Sequence, residues 1–283
     1  MTLPRLPIGL IERLGALGRV AELEATTGGA ANLTLIARLD GAQVAVKVGV
    51  GDERRACVRR EATLLPLLRE AHLPVAGLLA FVDEPEPGFT FLVMDRLPGA
   101  NGLDALQVRP LDVEVVVERA RALGRLARLV HSTTIASVAD PEGQFDLVAQ
   151  LTRSQPEPVP TVLLNHPVAL VHGDLGFHNT LWSERRCTGL LDWEVAGFGP
   201  PLVDLAWAWW TFAFRSLPPE AWPAYVEGYG ARAIRALGWT PEVVPAVVAC
   251  LMRRWRPGAP EAWDARLAAL AGLPVPGPTG VFM

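Results

Sequence analysis

One short motif restricts the possible folds of this chain more than any other feature. Residues 172–179 read HGDLGFHN, which matches the pattern H-x-D-x-x-x-x-N, and Asp192 follows thirteen positions after Asn179 at the end of an apolar run. Taken singly, His-Gly-Asp can be an ordinary turn and Leu-Leu-Asp-Trp an ordinary strand end. The order and the spacing together predict a strand-loop-strand unit that presents Asp174, Asn179 and Asp192.

A single lysine is the second constraint. Of the 26 basic residues, 25 are arginine, and the one lysine is Lys47, in the middle of the strand-like run VAVKV. The ammonium of lysine is a compact point charge on a slim stem, whereas the guanidinium of arginine is a planar fork. Codon bias and chance can produce such a count. The functional interpretation is a site that only an ammonium fits.

The first part of the chain has the pattern of an antiparallel sheet that carries one helix. Four short apolar runs are predicted as strands: residues 33–39, 43–48, 78–82 and 89–94. The first two flank Asp40-Gly41, which is a strong hairpin signal. A helix is predicted over 52–71, and Glu61 falls inside its apolar stripe. A carboxylate in that position needs a cation, so Glu61 and Lys47 are expected to form an ion pair.

Leu97-Pro98-Gly99 is a natural boundary, and the pattern beyond it is mainly helical. Helices are predicted at 112–132, near 143–152 and from about 202 onward. Asp52 and Asp112 are the candidate N-cap residues of the first two long helices. The expected fold class is therefore α+β, divided into residues 1–97 and residues 98–283.

The segments LVHGDLGFHNTLW and LLDWEVAGFGPPLVDLAW resemble the signature of the aminoglycoside phosphotransferase and choline kinase superfamily, and the resemblance runs from about Gly28 to Trp207. It implies a bilobal, protein-kinase-like fold. Residues 1–97 would form a small antiparallel-sheet lobe that binds nucleotide, and residues 98–283 a larger, mainly helical lobe for catalysis and acceptor binding. The implied reaction transfers the γ-phosphate of ATP to a hydroxyl of a small molecule, with Mg²⁺ as cofactor.

The resemblance also assigns a role to each motif residue. Asp174 would be the catalytic base, and Asn179 and Asp192 would coordinate Mg²⁺. Lys47 would hold the α- and β-phosphates of ATP and pair with Glu61. Further residues are expected to bind the nucleotide or to support the catalytic loop: Gly28, Gly29 and Asn32 in a loop before the first predicted strand, Met94, Asp95 and Leu97 at the hinge next to adenine, and His172 and Asp204 as structural residues.

The charges of these residues support a metal independently of the resemblance. Asp174 and Asp192 near a polyphosphate would repel it and each other. At about 5 Å and an effective dielectric constant of about 20, each like-charge pair costs roughly 3 kcal/mol. A hard divalent cation removes this conflict, and magnesium favours oxygen ligands such as carboxylates and the neutral amide oxygen of Asn179.

Composition argues against several classes of partner. The net charge is −4 and basic residues form no long run, so nucleic-acid binding is not favoured. The longest apolar stretch, 195–214, is interrupted by Gly199-Pro200-Pro201 and contains Asp204, so it is not expected to span a membrane. No secretory signal is visible. Three widely spaced cysteines without a C-x-x-C motif suggest reduced thiols and a cytoplasmic location.

Other interpretations of the motifs remain open. A Ser/Thr protein kinase is disfavoured because Asp192 is followed by Trp193-Glu194 rather than Phe-Gly, and no Ala-Pro-Glu follows. A non-catalytic nucleotide-binding module would be expected to lose Asp174 or a metal ligand, and here all are present. Glu194 either assists metal or substrate or is a solvated carboxylate. His172 and His178, six positions apart without a cysteine partner, make a poor zinc site.

The sequence does not identify the acceptor. From residue 202 onward, six acidic residues stand against seven arginines, which does not favour a polycationic aminoglycoside. The aromatic run 207–214 is either a helix buried on several sides or the lining of an apolar or cation-π acceptor pocket. A hydroxylated metabolite, a choline-like amino alcohol, an aminoglycoside and a less charged antibiotic all remain open, as does the oligomeric state.

Overall fold

The chain divides into two compact units. One contains Met1–Pro98 together with Leu191–Val195, and the other contains Gly99–Leu190 together with Ala196–Met283. The segment that carries Asp192 thus belongs to the first unit, although the sequence-based boundary assigns it to the C-terminal part. The structure, a computed structural model, describes residues 6–26, 32–84, 88–107, 112–135, 138, 143–154, 157–254, 260–270 and 273–277, so the candidate loop residues Gly28 and Gly29 lie outside the described residues.

The first unit is a five-stranded antiparallel sheet with two helices. Its elements are α1 (Leu10–Gly15), β1 (Val20–Ala25), β2 (Leu33–Leu39), β3 (Ala42–Val50), α2 (Asp52–Glu70), β4 (Leu78–Glu84) and β5 (Phe89–Asp95). The strands pair in the order β1-β2-β3-β5-β4. All four strands and the helix that the sequence predicts are present, and β1 is an additional strand.

The turn between β2 and β3 fixes the register that places Lys47. Asp40 and Gly41 have φ angles of 49° and 84°, and two positive φ angles in a two-residue loop match the right-handed twist of a hairpin. The valines of β3 belong to the main core of the sheet: Val44, Val46 and Val48. Because successive side chains of a strand point to opposite faces, Lys47 lies on the other face, paired with Leu92 of β5. Leu92 packs against α2 there.

The second unit is mainly helical, with two small antiparallel sheets. Its helices are α3 (Asp104–Gln107), α4 (Val113–Ser132), α5 (Leu147–Ser154), α6 (Thr161–Leu164), α7 (Leu202–Phe214), α8 (Ala221–Tyr229), α9 (Ala231–Ala236), α10 (Val243–Arg254) and α11 (Pro260–Leu270). Its strands are β6 (Ala100–Asn101), β7 (Ala169–Val171), β8 (Thr180–Ser183), β9 (Arg186–Leu190) and β10 (Gly197–Gly199). β6, β8 and β9 form one sheet, and β7 pairs with β10. The two units together confirm the α+β class.

Helices α4 and α8 pack closely because each contributes a glycine to the crossing. A Cβ atom at Gly124 of α4 would overlap the carbonyl oxygen of Tyr225, and one at Gly228 of α8 would overlap the carbonyl oxygen of Arg121. The contact is therefore backbone against backbone from both sides. This close contact fixes the position of α8 relative to α4.

Helix α7 is buried along most of its length. Residues 202–212 are all buried, including Trp207 at 5% and Trp210 at 4% exposure. Phe214 at the end of the helix is 47% exposed. Of the two interpretations of the aromatic run, the structure supports the buried helix. Among the described residues, no helix combines the length and the apolar character needed to cross a bilayer.

Candidate active site

Lys47 lies in a cluster of carboxylates within the first unit. Its Nζ atom is 2.6 Å from Oε2 of Glu61 and 2.8 Å from Oε2 of Glu194, and it also donates to Oδ1 of Asp192. Burial favours a lower pKa for Lys47, but the three carboxylates outweigh it and hold the pKa well above its usual value. The lone lysine is therefore charged, and it makes the ion pair with Glu61 that the helix pattern predicts.

An unusual backbone conformation at Asp192 brings this residue to Lys47. Asp192 has a φ angle of 67°, a left-handed conformation that costs an L-residue about 1–2 kcal/mol and that aspartate tolerates better than most. A short 3₁₀ turn, Trp193–Val195, follows. In it, the N–H of Trp193 donates to Oε1 of Glu61 at 3.2 Å. Glu61 therefore holds both Lys47 and the segment that carries Asp192.

Glu194 and Asn32 complete the cluster. Glu194 is buried, its Oε2 accepts a hydrogen bond from Nδ2 of Asn32, and its backbone oxygen accepts one from Arg60 at 2.9 Å. Burial and the neighbouring Asp192 raise the pKa of Glu194 to about 7, while Lys47 opposes the shift. The sequence is also compatible with a solvated Glu194, and the structure contradicts that alternative. Asn32, expected to contact nucleotide, lies in the described part of that loop and contacts Glu194.

The oxygen atoms of this cluster are suited to a hard cation. Glu61, Asp192 and Glu194 each offer one carboxylate oxygen, and the three oxygens lie within 4.8 Å of one another. Magnesium prefers oxygen ligands of this kind. In the second unit, the side-chain hydrogen bonds of Asn179 to described residues both use Nδ2, so its amide oxygen is available to a cation. The residues expected to hold magnesium therefore fit that ion chemically.

Of the predicted hinge residues, Met94 and Asp95 end β5, and Leu97 follows it. The backbone N–H of Asp95 donates to Gly77 at 3.0 Å, and its carboxylate accepts from Arg69 at 2.6 Å. Met94 packs against the cluster formed by α2 and Leu92, and Leu97 is half-buried. The amide of Asp95 is thus already used within the first unit, and Met94 is paired with Ala45 of β3 and Leu78 of β4. Of the three predicted positions, Leu97 alone lies outside the strands of the sheet.

The motif HGDLGFHN, residues 172–179, lies in the second unit, where Asp204 holds its backbone. Asp204 is fully buried in α7 and accepts hydrogen bonds from the N–H groups of His172 at 2.8 Å and Gly173 at 2.7 Å. Gly173 has a φ angle of 82°, which glycine adopts without strain. Nε2 of His131 lies 3.0 Å from the same carboxylate. His131 is thus a buried, hydrogen-bonded histidine that supports Asp204.

Asp174 is held by three side chains and remains partly exposed. Its Oδ1 lies 2.9 Å from Nε2 of His178 and 2.5 Å from Nε1 of Trp207, and Nδ2 of Asn179 donates to Oδ2 at 3.0 Å. The side chain of Asp174 is 22% exposed. Burial acts to raise the pKa of Asp174, but His178, His172 and the hydrogen bond from Trp207 lower it overall. Asp174 is therefore a carboxylate at neutral pH.

The structure thus brings the candidate residues together in two groups, one in each unit. Lys47, Glu61 and Asp192 meet in the first unit together with Asn32 and Glu194. The second group consists of three residues of the motif 172–179 and the aspartate that holds its backbone: His172, Asp174, Asn179 and Asp204. The contacts of His178 and Trp207 with Asp174 were not predicted from the sequence. The position of His178 next to Asn179 was a signal for the first of these contacts, and for Trp207 there was none.

Several known proteins are similar to this chain in sequence and in fold. A family model described as the phosphotransferase enzyme family matches residues 22–243. The viomycin phosphotransferase of Streptomyces vinaceus is 29% identical over 146 residues, which are 44% of this chain and 50% of that protein. The match therefore spans half the length of this curated relative.

Solved structures share the fold across nearly the whole chain. An aminoglycoside-3'-phosphotransferase of type VIII superposes with a TM-score of 0.61 at 23% identity, covering 88% of this chain and 100% of that one. The aminoglycoside phosphotransferase APH(4)-Ia gives a TM-score of 0.62 at 16% identity, with 93% and 97% covered. The macrolide 2'-phosphotransferase MphH of Brachybacterium faecium gives 0.55 at 20% identity, with 94% and 99% covered. The protein-kinase-like fold expected from the motifs is confirmed.

Proposed function

The chain belongs to the phosphotransferase enzyme family, and we propose that it transfers the γ-phosphate of ATP to a hydroxyl group of a small molecule. The observation that carries the proposal is the pairing of the single lysine, Lys47, with Glu61 and Asp192. Asp192 is far from the other two in sequence, and a protein has little reason to gather these carboxylates around a buried lysine unless the ammonium serves an anion. ATP fits this role, since related structures were solved with ADP and with AMP-PNP.

Lys47 is proposed to bind the α- and β-phosphates of ATP. Its ammonium is fixed by Glu61, which is itself fixed by the N–H of Trp193. Hydrogen bonds that involve a charged partner contribute about 1.5–3 kcal/mol each, so a preoriented ammonium gives a useful share of nucleotide affinity. The loop with Gly28, Gly29 and Asn32 and the hinge backbone at Met94, Asp95 and Leu97 are proposed to contact the rest of the nucleotide.

Asp174 is proposed to act as general base. Its ionised carboxylate, held on a loop supported by Asp204, can accept the proton of an acceptor hydroxyl and orient the attacking oxygen. Phosphoryl transfer asks the protein mainly for positioning and electrostatic stabilisation. The carboxylate of Asp174 is held in place by hydrogen bonds and is partly exposed, so it can position an acceptor hydroxyl.

Asp192 and Asn179 are proposed as magnesium ligands. When bound, magnesium neutralises charge on the phosphates and thereby makes them approachable by carboxylates and by the acceptor oxygen. Both residues offer an oxygen atom of the type that the ion prefers. We also propose a cytoplasmic location, because the three cysteines Cys57, Cys187 and Cys250 are widely spaced in the sequence and form no C-x-x-C motif.

The acceptor is proposed to be a small hydroxylated molecule of the antibiotic or metabolite type. Relatives named for viomycin, aminoglycosides and a macrolide define the range to be searched. The scarcity of acidic residues after position 202 places neutral or weakly charged acceptors ahead of polycationic ones within that range.

An acceptor screen tests the proposal. ADP release from ATP and Mg²⁺ is measured with viomycin, hygromycin B, kanamycin, erythromycin, choline and simple sugars, and products are checked by mass for one added phosphoryl group. We expect at least one acceptor to be phosphorylated. Asp174→Asn should lower kcat for that acceptor by about 100-fold or more, since a general base contributes about 10²–10⁴-fold, and should leave ATP binding within a few-fold.

The exposed carboxylate Asp52 provides the matched control. Asp52→Asn makes the same chemical change on the surface of the first unit, where the side chain is fully exposed, and should leave kcat unchanged. Equal turnover by Asp174→Asn and the unaltered protein would contradict the assigned base. Phosphorylation of generic protein substrates, with none of the small molecules accepted, would instead favour a protein kinase.

A further inference from the structure

The two oxygens of the Asp174 carboxylate are not equivalent. Oδ1 receives two N–H donors, His178 at 2.9 Å and Trp207 at 2.5 Å. Among the described residues Oδ2 has one side-chain partner, the amide of Asn179 at 3.0 Å. A carboxylate oxygen accepts through two lone pairs, so Oδ1 is saturated whereas Oδ2 keeps one lone pair for another donor.

Space for the His178 ring is provided by a glycine in the same loop. A Cβ atom at Gly176 would lie 2.6 Å from Cε1 and 2.7 Å from Nδ1 of His178. The backbone at Gly176 is extended, with φ of −173°, so any residue could adopt the conformation. Glycine therefore leaves room for the imidazole in the position where it contacts Asp174, and a larger residue would require the ring to move.

The indole of Trp207 packs against other aromatic rings of α7. Its ring centroid is 4.7 Å from that of Trp210, and Trp210 stacks on Phe214 at 5.1 Å. Trp207 is 5% exposed, so little of its ring is open to a ligand. It lies one turn after Asp204 on α7, and the same helix therefore fixes both the backbone of the loop and the carboxylate of Asp174.

We propose that His178 and Trp207 are positioning residues that occupy Oδ1 of Asp174 and so make Oδ2 the oxygen that accepts the proton of the acceptor hydroxyl. The inference rests on the proposed function and adds to it two residues and the identity of the reacting oxygen.

In the step that results, the acceptor O–H proton moves to Oδ2 of Asp174. The acceptor oxygen forms a bond to the γ-phosphorus of ATP. The bond between this phosphorus and the β–γ bridging oxygen breaks, and its electron pair leaves with ADP. The proton on Asp174 is afterwards lost to solvent, which restores the carboxylate.

Loss of a positioning residue should lower turnover more than nucleotide binding. A displacement of about 1 Å in a reacting group can reduce the rate about 100-fold. Trp207→Phe keeps an aromatic ring and removes the N–H donor, and His178→Leu keeps a side chain of similar size without a donor. Each should lower kcat for the acceptor found in the screen by about 10- to 100-fold, with KM for ATP within about threefold.

Two controls separate positioning from packing. Nε1 of Trp222 has no hydrogen-bond partner among the described residues, so Trp222→Phe removes an indole N–H without removing a hydrogen bond and should leave kcat unchanged. His178→Gln places an amide N–H near the position of Nε2 and should restore kcat to within about threefold of the unaltered protein.

Nuclear magnetic resonance tests the contact without any acceptor. In full-length protein labelled with ¹⁵N-tryptophan, the indole N–H signal of Trp207 is identified by its loss in Trp207→Phe. Asp174→Asn should shift this signal and leave that of Trp222 in place. An unshifted Trp207 signal would overturn the inference whatever the activity.

The kinetic outcomes distinguish the inference from the proposed function. If the unaltered protein phosphorylates an acceptor but Trp207→Phe and His178→Leu keep full kcat, the inference is wrong and the function stands. If no acceptor and no ATP turnover are found, the proposed function fails and the assignment of Oδ2 as the reacting oxygen fails with it. A lowered kcat together with rescue by His178→Gln supports the inference.

Discussion

At the scale of single residues, Lys47 shows how a buried positive charge can be stabilised. An ammonium has three N–H donors, and in this protein three carboxylates accept from it: Glu61, Asp192 and Glu194. The side chain of Lys47 is only 6% exposed, so an unpaired charge there would be costly. The tetrahedral ammonium matches three converging acceptors, whereas a planar guanidinium directs its donors into one plane.

Lys47→Arg should therefore keep the positive charge but weaken the binding of ATP. We expect the Kd for ATP to rise about 10- to 100-fold, which corresponds to the loss of one charge-assisted hydrogen bond. The measurement is titration of ATP and Mg²⁺ by calorimetry, with circular dichroism to confirm folding.

The reverse exchange at an exposed position is the control for Lys47. Arg54 is exposed on α2, and Arg54→Lys should change neither affinity nor stability by a measurable amount. ATP binding by Lys47→Arg at the original affinity would show that the shape of the cation does not matter and would remove the physical basis for the lone lysine.

Some of these residues could be found from the sequence and others could not, for physical reasons. Lys47 and Glu61 were predicted to pair because helix periodicity puts Glu61 on an apolar face, where a carboxylate needs a cation, and Lys47 is the one lysine of the chain. Glu194 was left undecided because its burial depends on the positive φ of Asp192 and on the turn that follows. The contact between Trp207 and Asp174 depends on tertiary packing of α7, and no local pattern encodes it.

At the scale of elements, two aspartates expected to begin helices behave differently. Asp112 is the N-cap of α4 and accepts from the N–H of Val115 at 3.1 Å. Asp52 was predicted as the cap of α2, but it is the first helical residue, and Gly51 with φ of 83° occupies the cap position. Both sequences begin with an acidic residue near an apolar run. At the start of α2 the N-cap residue has a positive φ angle, which glycine adopts easily, so Gly51 and not Asp52 occupies the cap position.

Gly228→Ala tests the close crossing of α4 and α8. The added methyl group would overlap the backbone of Arg121, so the helices must separate or shift, and we expect a loss of about 1–3 kcal/mol in the free energy of unfolding. Gly124→Ala should have a similar effect, and the double variant should lose less than the sum because both changes open one contact. Urea unfolding followed by circular dichroism measures these differences.

Gly15 offers a control for this element. It is the last residue of α1, it is exposed, and a Cβ atom there meets nothing within 4 Å. Gly15→Ala should leave the free energy of unfolding unchanged or raise it by up to about 1 kcal/mol through helix propensity. Equal stability of Gly228→Ala and Gly15→Ala would mean that the crossing is not tightly packed.

At the scale of the whole molecule, the first unit is completed by residues that come late in the chain. Leu191–Val195 brings Asp192 and Glu194 to Lys47 and Glu61, although about half of the second unit lies between them in sequence. The sequence predicted that one lysine and Asp192 serve the same phosphates, but it did not predict that they touch each other. Lys47 is therefore neutralised within the first unit before any nucleotide is bound.

The charge of this cluster predicts how nucleotide stabilises the protein. Three carboxylates face one ammonium, so the phosphates of ATP alone would meet an excess of negative charge. We expect ATP with Mg²⁺, at about 100 times its Kd, to raise the free energy of unfolding by about 2.7 kcal/mol. ATP with EDTA should give a much smaller increase.

The measurement is the shift in Tm on scanning fluorimetry at fixed protein concentration. Asp192→Asn should reduce the shift with ATP and Mg²⁺, and Asp52→Asn should not. An equal shift with EDTA would contradict the proposed magnesium requirement.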